Sequence, residues 1–158
     1  MPAAVLDSNL LVLLAVGILD RGMIREHKRT SQYVPEDFDL LADLLARFSL
    51  ILVTPNGLTE TANLLQQIRE PYRQRLLAVL ASLLPRLVEE YVPSKEAVAS
   101  PIFTRLGLAD AAIVESFPEA YVVTDDFDLY LYLANSGRRV INFNHYRIGA
   151  WGLADLHN

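Results

Sequence analysis

AAVLDSNLLVLLAVGIL, residues 3 to 19, changes character at Asp7-Ser8-Asn9. Ala3 to Leu6 is a short apolar run, the pattern of a buried strand, and it ends at Asp7. From Ser8 to Asp20 the chain reads as an apolar helix, with Asp20-Arg21-Gly22 to end it. A strand that passes straight into a buried helix opens an α/β fold. Two features separate this stretch from an export signal or membrane span. An Asp and no Lys or Arg precedes the apolar run, and the run is shorter than the roughly 20 residues that a bilayer requires.

The same alternation continues along the chain. Residues 21 to 34 are polar and basic, a loop, and Pro35-Glu36-Asp37 starts a helix with proline and acids in its first turn. Leu50 to Val53 is the second strand, and Thr54-Pro55 reads as N-cap and N1 of a helix that carries Glu60. A helix from Pro71 to about Leu87, a strand from Val88 to Val92, and short helices starting at Ser94 and at Ser100-Pro101 follow. Leu108 to Phe117 is helical and holds Asp110. Tyr121 to Thr124 is a strand, Asp126 to Ser136 a helix closed by Gly137, and Arg139 to Phe143 the last strand. Strands alternating with helices predict a mostly parallel sheet covered on both faces, in one domain over residues 1–158.

Composition narrows the chemistry. Residues counted as hydrophobic make up 52% and charged residues 21%, enough for a packed core. There is no cysteine, which removes disulfides and thiolate zinc sites and suits a reducing cytoplasm. His27, His145 and His157 have no ligand spacing, so a bound metal must be held by oxygen, which favours Mg²⁺ or Mn²⁺. Net charge is −5, which opposes a nucleic-acid partner, but cations cluster locally at Arg21, Arg25, Lys28 and Arg29.

Asp7 and Asp126 each follow an apolar strand, at the position where open parallel sheets bind ligands. Glu60 and Asp110 lie on helices, and Asp110 is embedded in LGLADAAIV, where a lone carboxylate is costly. Each acid alone also fits a bland role as a helix cap or a surface residue. Together they form a set of hard oxygen donors suited to a divalent ion. Asp125 is expected to face solvent, because only one of two adjacent residues points into a given cleft.

VLDSNLLVLL, VTPNGLTETANLL, LGLADAAIVES and VVTDDFDLY, in that order, resemble the acidic motifs of the PIN-domain family of metal-dependent ribonucleases, which includes the VapC toxins of toxin–antitoxin pairs. The stretch between Asp7 and Glu60 is longer than in compact members, and Leu129 stands where an aromatic residue is common. The resemblance implies a three-layer sandwich with four or five parallel strands, often a homodimer, and an endoribonuclease hydrolysing phosphodiesters with Mg²⁺ or Mn²⁺. It implies Asp7, Glu60, Asp110 and Asp126 as metal ligands and catalytic acids, with Asp128 an auxiliary ligand. Ser8, Asn9 and Thr124 would support them by hydrogen bonds, and Arg21, Arg25, Lys28 and Arg29 would hold RNA. A cognate antitoxin is a possible partner; a membrane is not expected. The alternatives are a phosphatase with Asp7 as nucleophile, weakened by Asn9 where a second Asp is wanted, and a non-catalytic scaffold that binds RNA or protein.

Overall fold

The computed structural model describes residues 2–156; His157 lies outside them. β1 (Ala3–Leu6) enters α1 (Ser8–Leu19) through Asp7, which is the N-cap. A 3-10 turn at Arg21–Ile24 and further turns carry the basic segment to α2 (Pro35–Leu45). β2 (Leu50–Val53) then passes through Thr54, whose hydroxyl oxygen accepts from the Gly57 amide at 3.0 Å, into α3 (Pro55–Leu65). α4 (Tyr72–Leu83) and β3 (Val88–Glu89) follow, and then α5 (Ser94–Ala97), α6 (Phe103–Leu106) and α7 (Leu108–Glu115). The chain finishes with β4 (Tyr121–Thr124), α8 (Phe127–Asn135), β5 (Val140–Asn142) and α9 (Phe143–Leu156).

All five strands are parallel, in the order β3-β2-β1-β4-β5. β1 is central, with Val5 opposite Leu52 on one side and Val122 on the other. Alternation along each strand divides the core in two. Ala4, Leu6, Val53 and Val123 face a large cluster built with α1 to α4 and Phe143 of α9. Val5, Leu52 and Val122 face a second cluster with Ile113 of α7 and Leu129 and Leu133 of α8. The result is the expected three-layer α/β sandwich, doubly wound, with helices on both faces of the sheet.

α1 is the buried helix that its composition predicts: Leu10, Leu11, Val12, Leu13, Ala15 and Val16 are at most 1% exposed. Among the described residues no helix is long and apolar enough to cross a membrane. Gly137 follows α8 with φ of +73°, a left-handed conformation that costs glycine little.

Several boundaries differ from the sequence reading, each for a local reason. β3 stops at Glu89 instead of Val92, because its partner β2 ends at Val53; the Glu90 amide makes the last bond, to the Val53 carbonyl at 2.9 Å. The helix expected to reach Leu87 tightens into a 3-10 turn at Leu84–Arg86, where Pro85 has no amide to donate. The helix expected from Ser100 begins at Phe103, and the one expected to reach Phe117 ends at Glu115. Phe143 opens α9 rather than closing the last strand. The Asn142 side-chain oxygen accepts from the amides of Asn144 (2.9 Å) and His145 (3.2 Å), capping that helix.

Candidate active site

The strand order reverses direction between β1 and β4, so the carboxyl ends of these two strands form the crevice typical of doubly wound sheets. A polar cavity of about 180 Å³ opens there, lined by Asp7, Ser8, Asn9, Glu60, Leu106, Asp110 and Asp126. The four acids arrive from four places: the end of β1, the middle of α3, the first turn of α7 and the start of α8. No Lys or Arg is among the lining residues.

Asp7 is 4% exposed. Its Oδ1 accepts from the Leu10 amide at 3.0 Å, and its Oδ2 accepts from the Thr124 hydroxyl and from the Asp125 amide at 3.1 Å. Burial, and then the charge of Asp125, hold its carboxyl well above the ordinary range, although the Thr124 and Leu10 hydrogen bonds pull the other way. Thr124 ties the two strand-end acids together, since its hydroxyl oxygen also accepts from the Asp126 backbone amide at 3.0 Å. Asp126 is the N-cap of α8, with Oδ1 accepting from the Leu129 amide at 2.9 Å.

The Ser8 hydroxyl donates to Glu60 Oε2 at 3.0 Å, linking the start of α1 to α3 at the cavity. Asp110 is pushed up to about 7, by burial first and then by the charges of Asp126, Glu60 and Asp125. The shift of Asp110 thus has its cause in burial together with the neighbouring carboxylates. Among the described residues, however, no three His, Asp or Glu side chains form a ready-made ion-holding group. Asp7 and Asp126 are turned toward backbone amides and Glu60 toward Ser8, so the acids share a cavity without forming a closed chelate.

The remaining expected residues divide. Ser8 and Asn9 line the cavity, and Thr124 reaches it through its hydrogen bond to Asp7. Asp128 is exposed in the first turn of α8 and is absent from the cavity wall, where its charge suits the helix N-terminus instead. Lys28 and Arg29 line a separate hollow of about 250 Å³ with Asn9, Ser31 and Gln32. Asn9 belongs to both hollows, so the basic segment adjoins the acids. Arg25 is exposed outside that hollow, and Arg21 is engaged by Asp39 at 2.6 Å. His27 anchors the segment. It is fully buried, with Nε2 at 3.1 Å from the Leu65 carbonyl and Nδ1 accepting from the Arg29 amide at 3.0 Å.

Asp125 corrects the sequence reading, because it is half-buried rather than turned to solvent. Its Oδ2 accepts from the Tyr33 hydroxyl at 2.6 Å and its Oδ1 from the Asn9 amide group at 3.1 Å. Asn144 donates to its carbonyl at 3.2 Å. Tyr33 packs beside Phe143 and under Arg147, and Arg147 pairs at 2.9 Å with Asp37, which is fully buried. Tyr33 and Asn144 were not anticipated. A tyrosine within a basic loop hints that its hydroxyl needs a partner, but nothing local identifies one 92 residues away. Comparison with protein-family models and with curated proteins gives no match to this chain.

Proposed function

We propose that the protein is a divalent-metal-dependent endoribonuclease of PIN type, with its reaction centre in the acid-lined crevice between β1 and β4. One observation carries this reading: four carboxylates from separate elements line a single small cavity that contains no cationic side chain. The donor set fits Mg²⁺ or Mn²⁺, which take oxygen ligands and keep several waters, so a closed chelate of protein atoms is not required. Asp7, Glu60, Asp110 and Asp126 would hold the ion directly or through water. When bound, such an ion supplies a stabiliser for developing negative charge and a water nucleophile near neutral pH.

The chain's own residues prepare that site. Thr124 orients Asp7 through its hydroxyl and receives the Asp126 amide, fixing the two strand-end acids relative to each other. Ser8 holds Glu60 toward the cavity. Lys28 and Arg29, next to Asn9, offer positive charge to the RNA backbone beside a cleft that otherwise repels phosphate. A toxin role, with an antitoxin as partner, belongs to the same proposal. The test is incubation of a structured RNA pool with purified protein and Mn²⁺. Wild type is expected to cut internally and Asp7→Asn to lose at least a hundredfold of that rate, whereas equal cutting by both would remove Asp7 from the chemistry.

A further inference from the structure

A larger cavity, about 470 Å³, lies beside the acid crevice, between α3, the segment Tyr91–Ser94 and the junction of α6 with α7. It shares Glu60 and Leu106 with the smaller one, so the two are contiguous. Asn56, Glu60 and Asn63 line it from one face of α3, spaced four and three residues apart. Val92 and Leu108 add apolar surface, and Tyr91 stands at the wall with 73% of its surface exposed. Apart from Glu60, the lining carries no charged side chain.

That inventory selects a ligand. A phosphate finds no cation here, and an aliphatic group would leave two amides without use. A flat, uncharged group with hydrogen-bonding edges satisfies all the features. Asparagine offers a donor and an acceptor together, and an exposed aromatic ring stacks on the face of any nucleobase. We propose that this cavity is a nucleobase subsite, receiving the unpaired base of a nucleotide adjacent to the phosphate in the acid crevice. Tyr91 stacks on the base, and Asn56 and Asn63 read its edge. The inference rests on the nuclease reading and gives it a substrate class, single-stranded RNA with a base preference beside the cut.

Binding and cleavage separate the two ideas. Binding of a fluorescently labelled short single-stranded RNA is measured by anisotropy in Ca²⁺, beside the same RNA lacking one base. Tyr91→Ala and Asn63→Leu change exposed residues outside the acid set, so the fold is expected to survive both. The complete RNA is expected to bind wild type about tenfold more tightly than the abasic one, the size of one lost base–aromatic stack. Tyr91→Ala should abolish that difference without weakening the abasic RNA. Asn63→Leu should level the affinities for oligonucleotides that differ at that one base. Equal affinity of complete and abasic RNA for wild type, or a Tyr91→Ala effect equal on both, overturns the subsite. Cleavage of the same RNAs with Mn²⁺ is scored separately. Base-dependent binding without cutting would sink the nuclease reading and leave the subsite standing; cutting with binding blind to the base would do the reverse.

Discussion

Asp126 both caps α8 and lines the acid cavity, and substitution can separate the two roles. Asparagine keeps the oxygen that accepts from the Leu129 amide and removes a charge from a crowded site. Asp126→Asn is therefore expected to melt in EDTA at or above the wild-type temperature. Asp126→Ala loses the cap, worth about 1 kcal/mol, and should melt roughly 2–4 °C lower. Both should fail to cut RNA with Mn²⁺. Retained cutting by Asp126→Asn would mean that the residue is only a cap.

Asp110 gives a pH signature. Its carboxyl is raised from 3.8 to about 7, so the native state keeps a proton that the unfolded chain has already released. Stability from this group is full below about pH 4, falls as pH climbs toward 7 and levels off above that. Asp7 is raised as well and acts in the same direction. Thermal melts in EDTA across that window should show a steeper decline for wild type than for Asp110→Asn. Parallel curves would show that Asp110 ionises normally in the folded protein.

At this scale the sequence reveals Asp7 and Asp126 at strand ends and Asp110 in an apolar helix, where a carboxylate requires a reason; Glu60, exposed on α3 between Thr59 and Thr61, is singled out only by the resemblance to a family motif. Asp125 is wrongly expected to face solvent because β4 ends at Thr124 and the chain bends at the next residue. The rule that adjacent residues face opposite ways no longer applies there, and the side chain turns to Tyr33.

Among the elements, the contact of α1 with α2 is set by one missing side chain. A Cβ on Gly17 would stand 2.1 Å from Cδ2 and 2.4 Å from Cγ of Phe38. Alanine is the better helix former by about 1 kcal/mol, but overpacking a core costs about 1–3 kcal/mol. Ring atoms close to the backbone cannot swing away as the end of a flexible chain does, so the clash is expected to prevail. Gly17→Ala should lower the melting temperature by several degrees, and pairing it with Phe38→Ala should cost less than the sum of the single changes. Additive effects would show that the ring relocates freely.

Element types and order are legible from periodicity and caps, as Asp7, Thr54-Pro55 and Gly137 demonstrate. Strand ends are less so, because β3 is cut short by where its neighbour stops. α9 left one usable signal, Asn142 as a cap, but the apolar residues around Phe143 read equally well as strand.

Over the whole molecule, charge is divided into neighbouring regions, a net −5 with an acid crevice beside a basic hollow. Reversing both Lys28 and Arg29 to Glu should weaken RNA binding uniformly across sequences and flatten the dependence of log affinity on log salt by about 1 per lost contact. The base preference beside the cut should stay as in wild type. An unchanged salt slope would exclude the hollow from the RNA path.

The strand order also fixes when such a site can come into being. β1 lies in the middle of the sheet, yet one of its two neighbours, β4, is the fourth strand to be made. While the chain is being synthesised, β1 can pair with β2 and dock α1, but its other edge must wait for Tyr121–Thr124. Thr124 and Asp126 emerge in the same stretch, so Asp7 has neither its hydroxyl partner nor the second strand-end acid until then. Long-range parallel pairing of this kind is slow to form. Under the proposed nuclease reading, a nascent chain therefore carries its basic hollow before its acid crevice is complete, because Asp126 is the last of the four acids to be made.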